Sequence, residues 1–269
     1  MGFVERLERL DRRVIFWALF LLVALVYLRP LGLPLIPGRQ TISAFSALND
    51  IKSGQIVMYS VPDPGALGEQ GPVFTLTARY LMDRGVKLIF VGIFSPETGP
   101  ITDYVIDQSG IRRSFVYGKD YVNLGFVPGY EMAVAGMAQN FQDVVKTDAY
   151  GASITAMELT RNIKDANNFA AYIGVANILQ IRHWYTPFKT PLISICSAAD
   201  APGFAPFFDA GQFAGLIIGK TGGAELEFLT GRPGLNIRDM DAVTIGQGLF
   251  VLFVIIGNLT IIGRKRRRR

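Results

Sequence analysis

Gln55–Val61 reads QIVMYSV, Pro62-Asp63-Pro64-Gly65 follows it, and Val86–Phe94 reads VKLIFVGIF. The first is a short apolar, β-branched run ended by strong turn chemistry. The last is a near-continuous apolar run, the pattern of a strand buried on both faces. Between them Pro72–Asp83 places Phe74, Ala78 and Leu81 on one helical stripe, ended by Arg84 and Gly85. Two such strands around one helix make a βαβ unit, which predicts a parallel sheet.

The alternation continues outward from there. Tyr121–Val127 reads as a third strand with Tyr130–Val145 as its helix, and Ala170–Ala176 and Pro191–Ser197 read as fourth and fifth strands. The expected fold class is α/β, a three-layer Rossmann-like domain with a mostly parallel sheet over residues 37–229. Asp209–Leu229 reads as a helix, since Phe213, Leu216 and Ile217 have helical spacing and Asp209 stands where a cap would. Gly215, Gly219, Gly222 and Gly223 oppose it by about 1 kcal/mol each relative to alanine, so a break near Lys220 is expected.

Two apolar runs bracket this domain. Val243–Gly263 is twenty-one residues without a charge, long enough at 1.5 Å per residue to cross about 30 Å of hydrocarbon. Val14–Leu28 is shorter, but Arg29 can snorkel and Pro30–Ile36 extends the apolar character, giving an expected span over 14–36. A cleaved signal peptide shares that pattern, yet no small-x-small cleavage site follows Leu28. Residues 230–242 then form a linker carrying Gly231, Pro233 and Gly234.

The flanking cations orient the chain. Arg6, Arg9, Arg12 and Arg13 lie in the stretch 1–13, and 264–269 is wholly basic, an arrangement that predicts a cell-membrane protein with both termini cytoplasmic and the central domain extracytoplasmic. The terminal run acts as a stop-transfer and an anchor for anionic lipid headgroups, worth about 1 kcal/mol per cation near the surface. Nucleic acid is not an expected partner: the formal charge of +5 becomes −1 once the six cations of the tail are left out. A single cysteine excludes an internal disulfide framework, so packing alone must stabilise the domain.

Gly129-Tyr130-Glu131-Met132-Ala133-Val134-Ala135-Gly136-Met137, Phe141 and Thr147-Asp148-Ala149-Tyr150-Gly151 resemble a prokaryotic family of two-pass membrane proteins with a central Rossmann-like domain. Gly211–Leu216 and Gly222–Glu227 are similar to a second block of that family. The chain departs at Gly223-Ala224-Glu225-Leu226-Glu227, where the family pattern has Ala-Ala-Glu-Tyr-Glu. The resemblance implies the two-anchor architecture and supplies no chemistry.

Several catalytic patterns fail on their mechanics. Gly219-Lys220-Thr221 matches only the end of a phosphate-binding loop, whose first glycine would stand where the chain has Ala214. One histidine and one cysteine cannot build a structural zinc site in a monomer, so no cofactor is expected and any metal would be an oxygen-ligated cation. His183 and Cys196 are the one pair that could form a thiol nucleophile and its base. Cys196 equally suits a small core residue inside Leu192–Cys196, and His183 a rim position beside Trp184.

Ligands of open parallel sheets bind beyond the carboxyl ends of the strands. Those ends carry Asp63, Ser95 with Glu97, Gly129 with Glu131, and Asp200. Converging carboxylates suit a cation or a polyhydroxyl ligand, while a helix opening at Gly129 suits an anion; turn shaping and helix capping are the structural alternative. In the second apolar run Gln247 and Asn258 are eleven residues apart, close to three turns, and Gly246 and Gly257 repeat that spacing beside them. Such a stripe of amides and small residues associates helices. The leading expectation is a self-associating, homo-oligomeric assembly protein; the alternatives are an extracytoplasmic sensor for a small ligand or ion, and a membrane-tethered hydrolase built on His183 and Cys196.

Overall fold

The computed structural model describes residues 12–267; residues 1–11, 268 and 269, and the side chains of Arg12, Val14, Ile256 and residues 259–267, lie outside that description. The basic stretch expected over 1–13 falls almost wholly there, as do the side chains of the tail. In chain order the longer elements are α1 (Arg12–Leu28), α2 (Arg39–Asp50), β1 (Ile56–Ser60), α3 (Leu67–Asp83), β2 (Lys87–Gly92), α4 (Thr98–Gln108), β3 (Tyr121–Phe126) and α5 (Glu131–Gln139). They are followed by β4 (Ala171–Gly174), β5 (Leu192–Cys196), α6 (Ala201–Asp209), β6 (Gly215–Ile218), α7 (Gly219–Thr230) and α8 (Leu235–Arg267). Two compact units result, Leu35–Pro233 and the flanking segments up to Pro34 and from Gly234.

Leu35–Pro233 is an α/β fold with helices on both faces of a six-stranded sheet, order β3-β2-β1-β4-β5-β6, parallel at every pairing. The period of two along each strand divides the core. Met58, Ile89, Val122, Tyr172, Leu192 and Leu216 face one way, against Val134 and Met137 of α5 and Trp184. Val57, Tyr59, Leu88, Phe90, Ile173, Ile193 and Ile217 face the other, against Leu48 of α2, Phe74 and Leu81 of α3, Val105 of α4 and Leu226 of α7. Each fully buried aliphatic or Phe side chain contributes about 1.5–3 kcal/mol, which explains how the unit holds together with its only cysteine free and buried.

Three readings are corrected. The stretch expected as one broken helix contains a sixth strand, β6, with α7 beginning at Gly219. Four apolar residues, three of them buried, carry no period that separates strand from helix. The deciding contact is tertiary: a Cβ on Gly215 would lie 2.2 Å from the Cα of Ala44, so α2 packs directly on the backbone of β6. The helix expected over Tyr130–Val145 is α5 plus a separate turn, Phe141–Val144, because Asn140 leaves helical geometry. Last, the linker read over 230–242 is short. Gly231 ends α7 in the left-handed region (φ 66°), Arg232 N–H donates to Glu227 at 2.9 Å, and α8 already starts at Leu235.

The other unit pairs α1 with α8. A Cβ on Gly246 would lie 4.0 Å from Cγ2 of Val23, so this glycine faces α1. Beyond the end of α1 the chain is held by Asp241 of α8, whose carboxylate accepts N–H bonds from Leu31, Gly32 and Leu33 at 2.8, 2.9 and 3.1 Å. Among the described residues no helix is long and apolar enough to cross a membrane. The uncharged run Val243–Gly263 lies within α8 and continues past its last described side chain, Asn258.

Candidate functional site

Parallel strands leave their carboxyl ends on one edge, and in this strand order the connections diverge between β1 and β4. That divergence opens a crevice where such sheets bind ligands. Here it has a volume of about 270 Å³. Gly174, at the end of β4, directly precedes the lining residue Val175. A Cβ on Gly174 would stand 1.9 Å from the carbonyl oxygen of Ser60, so only glycine (φ 114°) lets β1 and β4 approach this closely.

Gln70, on the first turns of α3, lines the crevice and is 4% exposed. Its Oε1 is buried without a hydrogen-bond partner. An acceptor left so costs about 1–3 kcal/mol, and native structures keep few of them. Around it stand the carboxylates of Asp63, after β1, and Asp200, after β5. Ser95 Oγ donates to Asp63 at 3.0 Å and Ser197 Oγ to Asp200 at 2.7 Å, so each carboxylate is oriented while keeping acceptor capacity. Among the described residues no lysine, arginine or histidine lines the crevice.

The wall after β3 is a strained elbow. Gly129 has φ 116°, and Tyr130 has φ 48° with ψ −110°, a conformation costing a non-glycine residue about 1–3 kcal/mol. Tyr130 is 51% exposed, lines the crevice, and meets Phe94 edge to face at 5.5 Å. The next residue, Glu131, is gripped through one oxygen: Arg182 Nη1 donates to Oε1 at 2.7 Å, and His183 Nε2 lies 3.0 Å from it. Arg182 and His183 belong to a π-helical turn, Ile181–Tyr185. A π-turn inserted in a helix is frequent at functional sites. His183 and then Arg182 hold the Glu131 carboxyl below the usual range.

The residues singled out from sequence separate into groups. Asp63, Asp200 and Cys196 share the crevice, and Ser95 stands one hydrogen bond behind. Gly129 and Glu131 shape the elbow without lining the cavity. Glu97 is exposed outside the lining, its carboxyl lowered by its own backbone N–H and by Ser95. His183 is engaged by Glu131. The Cys196 thiol is pushed up to about 12 by burial and by the charges of Asp200 and Glu69, so the two do not form an activated pair. Gln70, Phe94, Tyr130, Asn177 and Phe204 of the lining were not anticipated. Gln70 left one sequence signal, a polar residue in register with the buried stripe Phe74, Thr77 and Leu81.

A larger cavity, about 760 Å³, lies by the edge strand β3. Its two carboxylates, Asp103 and Asp148, are already engaged by side chains next to it. Tyr117 OH donates to Asp148 at 2.6 Å, and Tyr150 OH and Arg112 Nη2 donate to Asp103 at 2.5 and 2.6 Å. Ala149 N–H donates to the Asn123 carbonyl at 2.9 Å, which covers part of the free edge of the sheet. We therefore place the candidate site in the smaller crevice, where an acceptor is left open.

On α8, Gly246 borders α1, whereas Gln247 and Asn258 are exposed and a Cβ on Gly257 would meet nothing within 4 Å. Asn258 Nδ2 donates to the Val254 carbonyl of its own helix at 2.9 Å. Among the described residues no three His, Cys, Asp or Glu side chains converge to hold a metal ion. Set against family models, curated proteins and solved structures, the chain matches none of them.

Proposed function

We propose that this chain is a membrane-anchored binding module whose α/β domain takes a small, hydrogen-bond-donating ligand in the crevice between β1 and β4. The observation that carries the reading is the buried, unpartnered Oε1 of Gln70 at the place where an open parallel sheet presents its ligand site. With Asp63 and Asp200 beside it and no cation in the lining, the crevice favours N–H and O–H donors over phosphates. Its volume of about 270 Å³ lies just below the roughly 300–1,000 Å³ typical of small-ligand sites, which favours a compact ligand.

The anchoring rests on the two uncharged runs and on the side chains that α1 and α8 leave exposed, among them Phe16, Trp17, Phe20, Leu25, Phe250 and Leu252. So large an apolar surface needs cover, and lipid supplies it. The cation-rich flanks orient the domain outward, with the polybasic tail at anionic headgroups.

Replacing Gln70 tests the crevice. In the purified full-length protein, Gln70→Met removes an unsatisfied acceptor and raises the melting temperature, while abolishing stabilisation by donor ligands such as inositol, spermidine or adenosine. No stabilisation by any of these, or unchanged stabilisation in Gln70→Met, overturns the reading.

Self-association is a second reading with its own support, the exposed Gln247 and the spacing of small residues and amides along α8. It predicts a homo-oligomer that Gly257→Leu dissociates, read as mass in detergent. The thiol hydrolase has no comparable support, given how Cys196 and His183 are held.

A further inference from the structure

We infer that the crevice takes an uncharged planar ring bearing N–H donors, such as a nucleoside or free base, and that Tyr130 is the platform on which the ring stacks. This rests on the binding reading above and narrows its ligand class. Three acceptors belong to residues of the crevice, the unpartnered Gln70 Oε1 and the carboxylates of Asp63 and Asp200, with Asn177 and Ser194 completing its polar side chains alongside the Tyr130 phenol and the Cys196 thiol. Three aromatic residues, Phe94, Tyr130 and Phe204, share the lining. A polyol would satisfy the acceptors and leave those rings without a partner. A planar heterocycle with exocyclic or ring N–H groups uses both at once, its edge on the acceptors and its face on an aromatic ring.

Tyr130 is the ring placed for that contact. It is half exposed at the crevice and meets Phe94 in an edge-to-face contact at 5.5 Å. Its backbone is held in a conformation no side chain prefers, and Arg182 and His183 engage the carboxylate of the next residue, Glu131. Strain maintained by such a clamp fixes the ring before the ligand arrives, sparing the ordering cost of binding. Asp63 and Asp200 then set the charge selectivity. A 5′-phosphate on the same nucleoside brings negative charge toward two carboxylates with no cation in the lining to answer it.

Calorimetry on the full chain in detergent, with adenosine, cytidine, adenosine 5′-monophosphate, inositol and spermidine as probes, tests this. We expect both nucleosides to bind, the monophosphate to bind at least about tenfold more weakly at low salt, and added salt to narrow that gap. Tyr130→Phe keeps the ring and should hold affinity within about twofold. Tyr130→Gly removes the ring and accepts the elbow's torsions, so affinity should fall about tenfold or more while the free protein melts no earlier. Binding of inositol or spermidine without binding of the nucleosides overturns the ring and leaves the crevice reading standing. Binding of no probe overturns both. Nucleoside affinity unchanged in Tyr130→Gly removes Tyr130 from the site.

Discussion

The indole Nε1 of Trp184 donates to the carbonyl of Val134 at 3.0 Å, with the ring fully buried against Phe169 and Tyr172. This bond ties the π-turn to α5, the helix that the elbow at Tyr130 begins. Trp184 therefore reports whether the turn and the elbow remain docked. Only two tryptophans are present, so Trp17→Phe leaves Trp184 as the sole emitter.

Acid should loosen this docking through Glu131. Its carboxyl is held below the usual range, first by His183 and then by Arg182, so the fold favours the ionised form. That stabilisation is fully present above the unfolded glutamate value near 4.5 and is lost as pH falls through the lower value in the fold. In Trp17→Phe protein we expect Trp184 emission to hold steady from neutral pH to the ordinary carboxylate range and to shift to longer wavelength only below it. Glu131→Gln should show the shifted emission already at neutral pH. An acid response identical in Glu131→Gln would assign the transition to other carboxylates.

How far the sequence reached follows from where physical signals are local. β1, β2, β3, β4 and β5 were each legible because a strand buried on both faces is an apolar run in any context. β6 was not, since Gly215-Leu216-Ile217-Ile218 is too short to show a period and its glycine is demanded by Ala44, about 170 residues earlier. α2 and α4 were missed because each buries only a narrow stripe in an otherwise polar sequence. In the site, Asp63 and Asp200 were found by the rule that ligands meet strand carboxyl ends. Tyr130 was not: its distinction is a backbone torsion, and no residue type announces one. His183 and Cys196 were paired on chemistry alone, and packing gave each a different neighbour.

Cys196 offers a test of that separation. With the thiol near 12 instead of the usual 9.0, the thiolate present at pH 8 is about a thousandfold scarcer than in an ordinary cysteine. Native protein should resist iodoacetamide at pH 8 and react promptly in guanidinium. The raised value favours the neutral thiol in the fold, so its stabilisation is complete below the unfolded thiol's value near 9 and is lost as pH climbs toward 12. Cys196→Ser should remove that part of the alkaline instability. Fast alkylation of the native protein at pH 8 would show an activated thiol and restore the nucleophile reading.

Asp241 carries the last prediction, in the helical unit. Its carboxylate closes a concave turn in which Leu31, Gly32 and Leu33 direct successive N–H groups at one anion, the geometry that left-handed Gly32 (φ 62°) creates. Three donors answered by one charged acceptor fix the chain leaving α1 against α8 whatever surrounds the helices. Asp241→Ala leaves all three without that acceptor, and a hydrogen bond to a charged group is worth about 1.5–3 kcal/mol. Hydrogen exchange of the Leu31–Leu33 amides should accelerate by at least about tenfold in Asp241→Ala and by less in Asp241→Asn, which keeps one carbonyl acceptor. Amides that exchange equally fast in all three proteins would mean that the turn is held by its surroundings, with the carboxylate a bystander. Protection lost in Asp241→Ala and partly kept in Asp241→Asn would identify Asp241 as the clasp that joins the two helices into one unit.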